Sequence, residues 1–162
     1  MFIIKIKHHV SAVVAQIVYK MIYGSRFKIG KGTTWRKNLS VMIDKGGSVN
    51  IGKKCFFNNY CSLNANESIT IGDNSIFGEN VKIYDHNHRF SDRNTLVRDQ
   101  GFSCEKVVIG NNCWIGSNVT ILKGTTVGNG CVIGAGTVIS GTIPDNTIVK
   151  MSRELIFEEI KR

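Results

Sequence analysis

Residues 109–139 read IGNNCWIGSNVTILKGTTVGNGCVIGAGTVI. Ile109, Ile115, Ile121, Val127, Ile133 and Ile139 fall six apart without a gap, and glycine follows directly at 110, 116, 128 and 134. A period of six fits neither an α-helix nor plain strand alternation. The fourth residue after each large aliphatic is Cys113, Val119, Thr125, Cys131, Thr137 or Ile143, mostly small or β-branched. The same phase recurs upstream at Ile51, Phe57 and Leu63 and, after a two-residue insertion, at Ile71, Phe77 and Ile83. One large residue inward, a small one inward further on, and Gly or Asn at the corner describe one flat side of a solenoid; three sides make a coil of about 18 residues. Stacked coils pair their strands in parallel, so the core is a column.

The rest of the composition agrees. The chain of 162 residues is long enough for one domain with a sizeable core. It carries 36 Ile and Val against 9 Leu and Ala, which argues for β structure over a helical bundle. With one Pro, turns fall to 17 Gly and 15 Asn, both tolerant of left-handed backbone angles. Cys55, Cys61, Cys113 and Cys131 occupy small inward positions, so they read as buried thiols and not as metal ligands or nucleophiles; Cys104 lies outside the repeat. Five cysteines without a CxxC pair or a secretory signal suit a reducing, cytoplasmic setting.

The first 24 residues stand apart. Val10, Val13, Val14, Ile17, Val18, Met21 and Ile22 recur at threes and fours, an amphipathic helical stripe that Gly24 stops. An apolar stretch of this length, with Lys5, Lys7, His8 and His9 just ahead, is too short and too charged to span a bilayer. Two roles remain open: packing on its own domain or oligomer, or lying on a membrane surface at the inner face. The net charge of +9 favours an anionic partner. Nucleic acid is the weakest of the anionic partners and is not expected, because there is no phosphate loop, zinc-finger spacing or basic block interleaved with aromatics.

Chemistry concentrates where the phase is lost. Residues 85–106 hold Asp85, His86, His88, Arg89, Asp92, Arg93, Arg98, Asp99 and Glu105, a polar insertion leaving a rigid scaffold. His86 and His88, two apart, share a face if the chain there is extended. An imidazole suits proton abstraction from a hydroxyl near neutral pH, and Asp85, Asp92 or Glu105 could orient it.

The chain resembles the left-handed β-helix, hexapeptide-repeat acyltransferases, and most closely the galactoside, maltose and polysaccharide O-acetyltransferase branch. The resemblance covers about Ile29 to Val149. It is carried by Ile71-Gly72-Asp73-Asn74, by Val81-Lys82-Ile83-Tyr84-Asp85-His86-Asn87-His88, by Ile109-Gly110-Asn111-Asn112-Cys113-Trp114-Ile115-Gly116-Ser117 and by Val132-Ile133-Gly134-Ala135-Gly136-Thr137-Val138-Ile139. Left-handed coiling is implied by this likeness alone, since the rule for parallel crossovers expects the right-handed form. The expected architecture is therefore an all-β left-handed parallel β-helix over 25–151, preceded by a helix over 1–24. An active-site loop protrudes at 85–106. A short C-terminal helix follows at 152–162, with Ser152 as its N-cap, covering the end of the column.

The resemblance implies an acetyl-CoA-dependent O-acetyltransferase acting on a sugar hydroxyl in capsule, lipopolysaccharide or exopolysaccharide modification. His88 falls at the family's general-base position, and Ser117 at the residue whose backbone N–H binds the oxyanion. Trp114 matches an aromatic of the site wall and Ala135 a backbone contact to the pantetheine arm. Asn58 matches a residue that holds the acceptor hydroxyl, beside His86. The parts meet between subunits of a homotrimer. The family's Thr-Lys pair before the proline is Ser140-Gly141 here, so a cation for the cofactor phosphates falls to Lys150, Arg153, Lys161 or Arg162. Rival readings are an amino-sugar or antibiotic acceptor, or a non-catalytic or metal-binding solenoid similar to the γ-class carbonic anhydrases. No metal is expected, because His8 and His9, the remaining histidines, lie in the N-terminal helix and leave zinc without a third ligand.

Overall fold

The computed structural model describes residues 2–44 and 46–152, with side chains from residue 10 onward. The C-terminal helix expected over 152–162, with Arg153, Lys161 and Arg162, falls outside the described residues apart from Ser152. The repeat winds as a left-handed parallel β-helix. Its three faces hold six, six and five strands. The first face runs from Phe27–Ile29 through Ser48–Ile51, Ser68–Ile71, Val107–Ile109 and Thr126–Val127 to Thr142–Ile143. The second runs from Thr34–Trp35 through Phe56–Phe57, Ile76–Phe77, Trp114–Ile115 and Val132–Ile133 to Ile148–Val149. The third holds Ser40–Ile43, Ser62–Ala65, Lys82–Tyr84, Thr120–Ile121 and Val138–Ile139.

Register stacks like on like. Trp35, Phe57, Phe77, Ile115, Ile133 and Val149 form one inward column, in which the rings of Phe57 and Phe77 lie 4.4 Å apart and nearly parallel. A second column joins Ile51, Ile71, Ile109, Val127 and Ile143, and a third Val41, Leu63, Ile83, Ile121 and Ile139. The inward cysteines are buried and unpaired. Cys55, Cys113 and Cys131 point their thiols at carbonyls of the coil above, Gly72, Gly128 and Pro144, as Ser75 does with its hydroxyl to Gly110. Burial pushes the Cys55 and Cys113 thiols up, and that of Cys61 up to about 11, so they stay protonated donors. Corner glycines are needed for closeness: a Cβ on Gly110 would lie 2.7 Å from the carbonyl carbon of Gly128 in the next coil. Asn74, Asn80, Asn112, Asn118 and Asn146 take the left-handed corner angle, φ between 54° and 60°.

The helix Phe2–Tyr23 closes the N-terminal end of this column. Ala12 and Ala15 pack on the core, while Gln16 Nε2, Tyr19 Oη and Tyr23 Oη donate to the carbonyls of Thr33, Leu39 and Val41 at 3.0, 2.6 and 3.0 Å. A flat solenoid end needs small residues and side-chain donors for its bare carbonyls. The helix thus packs on its own domain, but through a face other than its large apolar stripe. Val10, Val13, Val14, Ile17, Val18, Met21 and Ile22 are exposed, because a second stripe, residues 12, 15, 16, 19 and 23, faces the column.

Candidate active site

The loop expected at 85–106 is a hairpin arm. Strands His86–His88 and Phe102–Cys104 pair antiparallel, with His86 opposite Cys104 and His88 opposite Phe102. The arm leaves the solenoid at the end of the third face and returns into the first. Its tip is closed by Asp92, which accepts from Asn94 N–H at 2.9 Å and Thr95 Oγ1 at 2.7 Å, while Gln100 Nε2 donates to the carbonyls of Asp92 and Thr95. Those bonds, Thr95 foremost, hold the Asp92 carboxyl below its ordinary value. Asp92 is thus committed to the tip, and Glu105 pairs with Lys123. Neither orients an imidazole.

Asp85 does. Its side chain is 0% exposed and accepts from the N–H groups of Asn66 and Glu67, both at 2.8 Å, and Oδ1 lies 2.9 Å from His86 Nδ1. A carboxylate there fixes the proton on Nδ1 and leaves Nε2 as an acceptor. His86 and Phe102 line a cleft of about 270 Å³, together with Tyr23, Met42, Asp44, Asn64 and Asn66. The His88 ring is exposed on the outer part of the arm, 4.5 Å from the centroid of Phe102, and its nitrogens have no hydrogen-bond partner among the described residues. Phe102 contacts both imidazoles, the His86 ring edge-on at 5.1 Å. Sequence reasoning missed it, although pairing across the arm was its only signal. The donors to Asp85 do have one: they sit in the two-residue insertion between Leu63 and Ile71.

The other expected residues gather along one edge, the corner from the second face to the third. Asn58, Gly78, Gly116, Gly134 and Lys150 follow one another up this edge, each N–H of the first four bonding the residue before the next: Phe77, Ile115, Ile133 and Val149. Ser117 and Ala135 sit one residue further on, bridged by Gly136 N–H to Ser117 C=O at 2.8 Å. Trp114 stands outward on the second face, 55% exposed, in an outward ladder with Phe56, Ile76, Val132 and Ile148.

The Ser117 N–H on that edge is open. At the first-to-second corner four successive steps are laced by side chains: Lys53, Asp73, Asn111 and Asn129 N–H donate to Asp73, Asn111, Asn129 and Asp145 Oδ1, at 2.7–2.8 Å. At the second-to-third corner Glu79 N–H donates to Ser117 Oγ at 3.1 Å, and there the lacing stops. The residue above Ser117 is Ala135, which has no side-chain acceptor, so the Ser117 N–H lacks a partner among the described residues. An unpaired N–H fixed on a rigid corner is what an oxyanion needs.

The structure does not bring the edge and the arm together within one protomer. They stand at opposite ends of the third face, on the order of 15 Å apart. No group of three or more His, Cys, Asp or Glu that could hold a metal occurs among the described residues.

Fold and repeat define a hexapeptide-repeat β-helix protein. The family described as bacterial transferase hexapeptide (six repeats) matches residues 106–141. Over 99 residues the chain is 39% identical to WbbJ of Escherichia coli (strain K12), a protein named for O-acetyl transfer in lipopolysaccharide biosynthesis, covering 57% of this chain and 50% of that one. The chain spans about half the length of the curated relatives it matches. Among solved structures, a maltose O-acetyltransferase from Clostridium difficile 630 aligns with TM-score 0.66 and 28% identity over 88% of this chain and 81% of the other. A hexapeptide-repeat acetyltransferase from Vibrio cholerae O1 biovar eltor, complexed with acetyl coenzyme A, aligns with TM-score 0.66 and 25% identity over 82% and 71%.

Proposed function

We propose that the protein is an acetyl-CoA-dependent O-acetyltransferase acting on a sugar hydroxyl of a bacterial surface polysaccharide, as a homotrimer. The observation that carries this reading is the hairpin arm, which interrupts the repeat to hold two imidazoles against Phe102 above a cleft. A solenoid with only a structural role has no use for that arrangement. The likeness to named O-acetyltransferases and to a structure with bound acetyl coenzyme A supports the cofactor and the reaction.

The chemistry follows from the geometry. His88 takes the proton of the acceptor hydroxyl, whose oxygen attacks the thioester carbonyl carbon. The charge that develops on the carbonyl oxygen is held by the open Ser117 N–H. Collapse of the tetrahedral species expels the thiolate of coenzyme A, which His88 reprotonates. Gly116 and Ala135 would hold the pantetheine arm along their shared edge, and Lys150 at the top of that edge would supply the cation for the phosphates. Asn58 and His86 hold the acceptor. The arm of one subunit serves the edge of the next, and the outward ladder of Ile76, Trp114 and Ile148 supplies apolar surface for the association.

The test is acetyl-CoA turnover, followed by thiol release over a panel of sugars, nucleotide sugars, oligosaccharides and amino sugars. His88→Ala should lose at least about a hundredfold in kcat with the fold intact. Near-normal turnover in that variant would overturn the assignment of the base. The Asp85–His86 contact favours a second reading, in which His86 is the base; loss in His86→Ala with His88→Ala active selects it.

A further inference from the structure

We propose that the outer face of the N-terminal helix docks the protein on an anionic lipid surface. The inner face of the helix is committed, since Gln16, Tyr19 and Tyr23 satisfy carbonyls of the first coil and Ala12 is buried on its core. The helix therefore cannot turn to bury its other side, and a row of large aliphatic side chains from Val10 to Ile22 stays in water, Met21 being 72% exposed. An apolar stripe this continuous calls for a covering surface.

Charge says which surface. Residues 1–43 hold eight Lys and Arg and no Asp or Glu, so this one end of the molecule carries eight of the nine net positive charges. Lys20 on the helix and Lys28, Lys31, Arg36 and Lys37 on the first coil are all exposed. A second copy of the chain would bring the same cations against one another, whereas anionic headgroups neutralise them while the aliphatic stripe enters the acyl boundary. The helix is not long and apolar enough to cross a membrane, so it lies in the interface plane. Tyr23, one residue beyond the stripe, also lines the cleft under His86, so docking holds that cleft at the headgroup layer.

The experiment is flotation of the full chain with phosphatidylcholine vesicles, with and without phosphatidylglycerol. Binding should be at least about tenfold stronger to the anionic vesicles and weaken with added salt. The double change Val14→Asp/Ile17→Asp, at exposed positions, should reduce it at least about tenfold with an unchanged circular dichroism spectrum and unchanged turnover on a soluble acceptor. Lys20→Glu/Lys28→Glu should weaken it separately, leaving the apolar stripe intact. Failure of the wild-type chain to float with anionic vesicles overturns the proposal. So does equal binding by the Val14→Asp/Ile17→Asp variant, or a fall in that variant's sedimenting mass without lipid, which would show that another copy covers the stripe. None of the overturning outcomes depends on acetyl transfer.

Discussion

At the scale of single residues the site is decided by which polar groups already have partners. Asp85 receives two backbone N–H groups and an imidazole, Asp92 is spent on the tip of the arm, and Glu105 on Lys123. Asp85→Asn keeps the shape but removes the charge, and its amide nitrogen cannot accept where the second oxygen did. It should therefore cost about 1–3 kcal/mol of stability in denaturant unfolding. If His88 is the base and His86 a wall of the acceptor cleft, the variant should raise KM for the acceptor several-fold and leave kcat within about threefold; a collapse of kcat alone moves the base to His86. The spacing of His86 and His88 was legible in the sequence, and so was the set of three carboxylates. Their ranking was not, because it depends on Asn66 and Glu67, which lie about one coil away in the chain.

At the scale of elements, the hexad wrote the solenoid almost openly. Each coil repeats the same demands, so one phase-locked row of aliphatics fixes strand, face and register together. The arm and the helix have no such redundancy. Pairing across the arm rests on a handful of short-range bonds around Gly101 and Gln100, and the helix carries two stripes of similar spacing, of which the less hydrophobic one faces the column. A periodicity argument favours the greasier stripe; the bare carbonyls of the first coil favour the one with hydroxyls and an amide. The corner glycines give the sharpest test of coil stacking. Gly110→Ala places a methyl 2.7 Å from the Gly128 carbonyl carbon and 2.8 Å from Asn129 N, with backbone on every side. It should lower stability by about 1–3 kcal/mol, read as an earlier unfolding midpoint, whereas the same change at Gly46, whose Cβ would meet nothing within 4 Å, costs only the strain of its positive φ.

At the scale of the whole molecule, the arm with its histidines and the edge with the open Ser117 N–H stand at opposite ends of the third face. On the trimeric reading proposed above, one copy holds two half-sites and a ring of copies joins them. Complementation decides this. His88→Ala leaves the edge intact and spoils the arm. Ala135→Arg leaves the arm intact and fills the edge beside the Ser117 N–H. Each variant alone should be inactive towards acetyl-CoA. Co-expressed in equal amounts and assembled at random, a quarter of the junctions pair an intact arm with an intact edge, so turnover should return to about a quarter of the wild-type value. A site built within one protomer gives no such recovery, because every copy then carries one lesion in its own site. Mixing the separately assembled variants under conditions where subunits do not exchange should likewise give none, which ties the recovery to the shared junction.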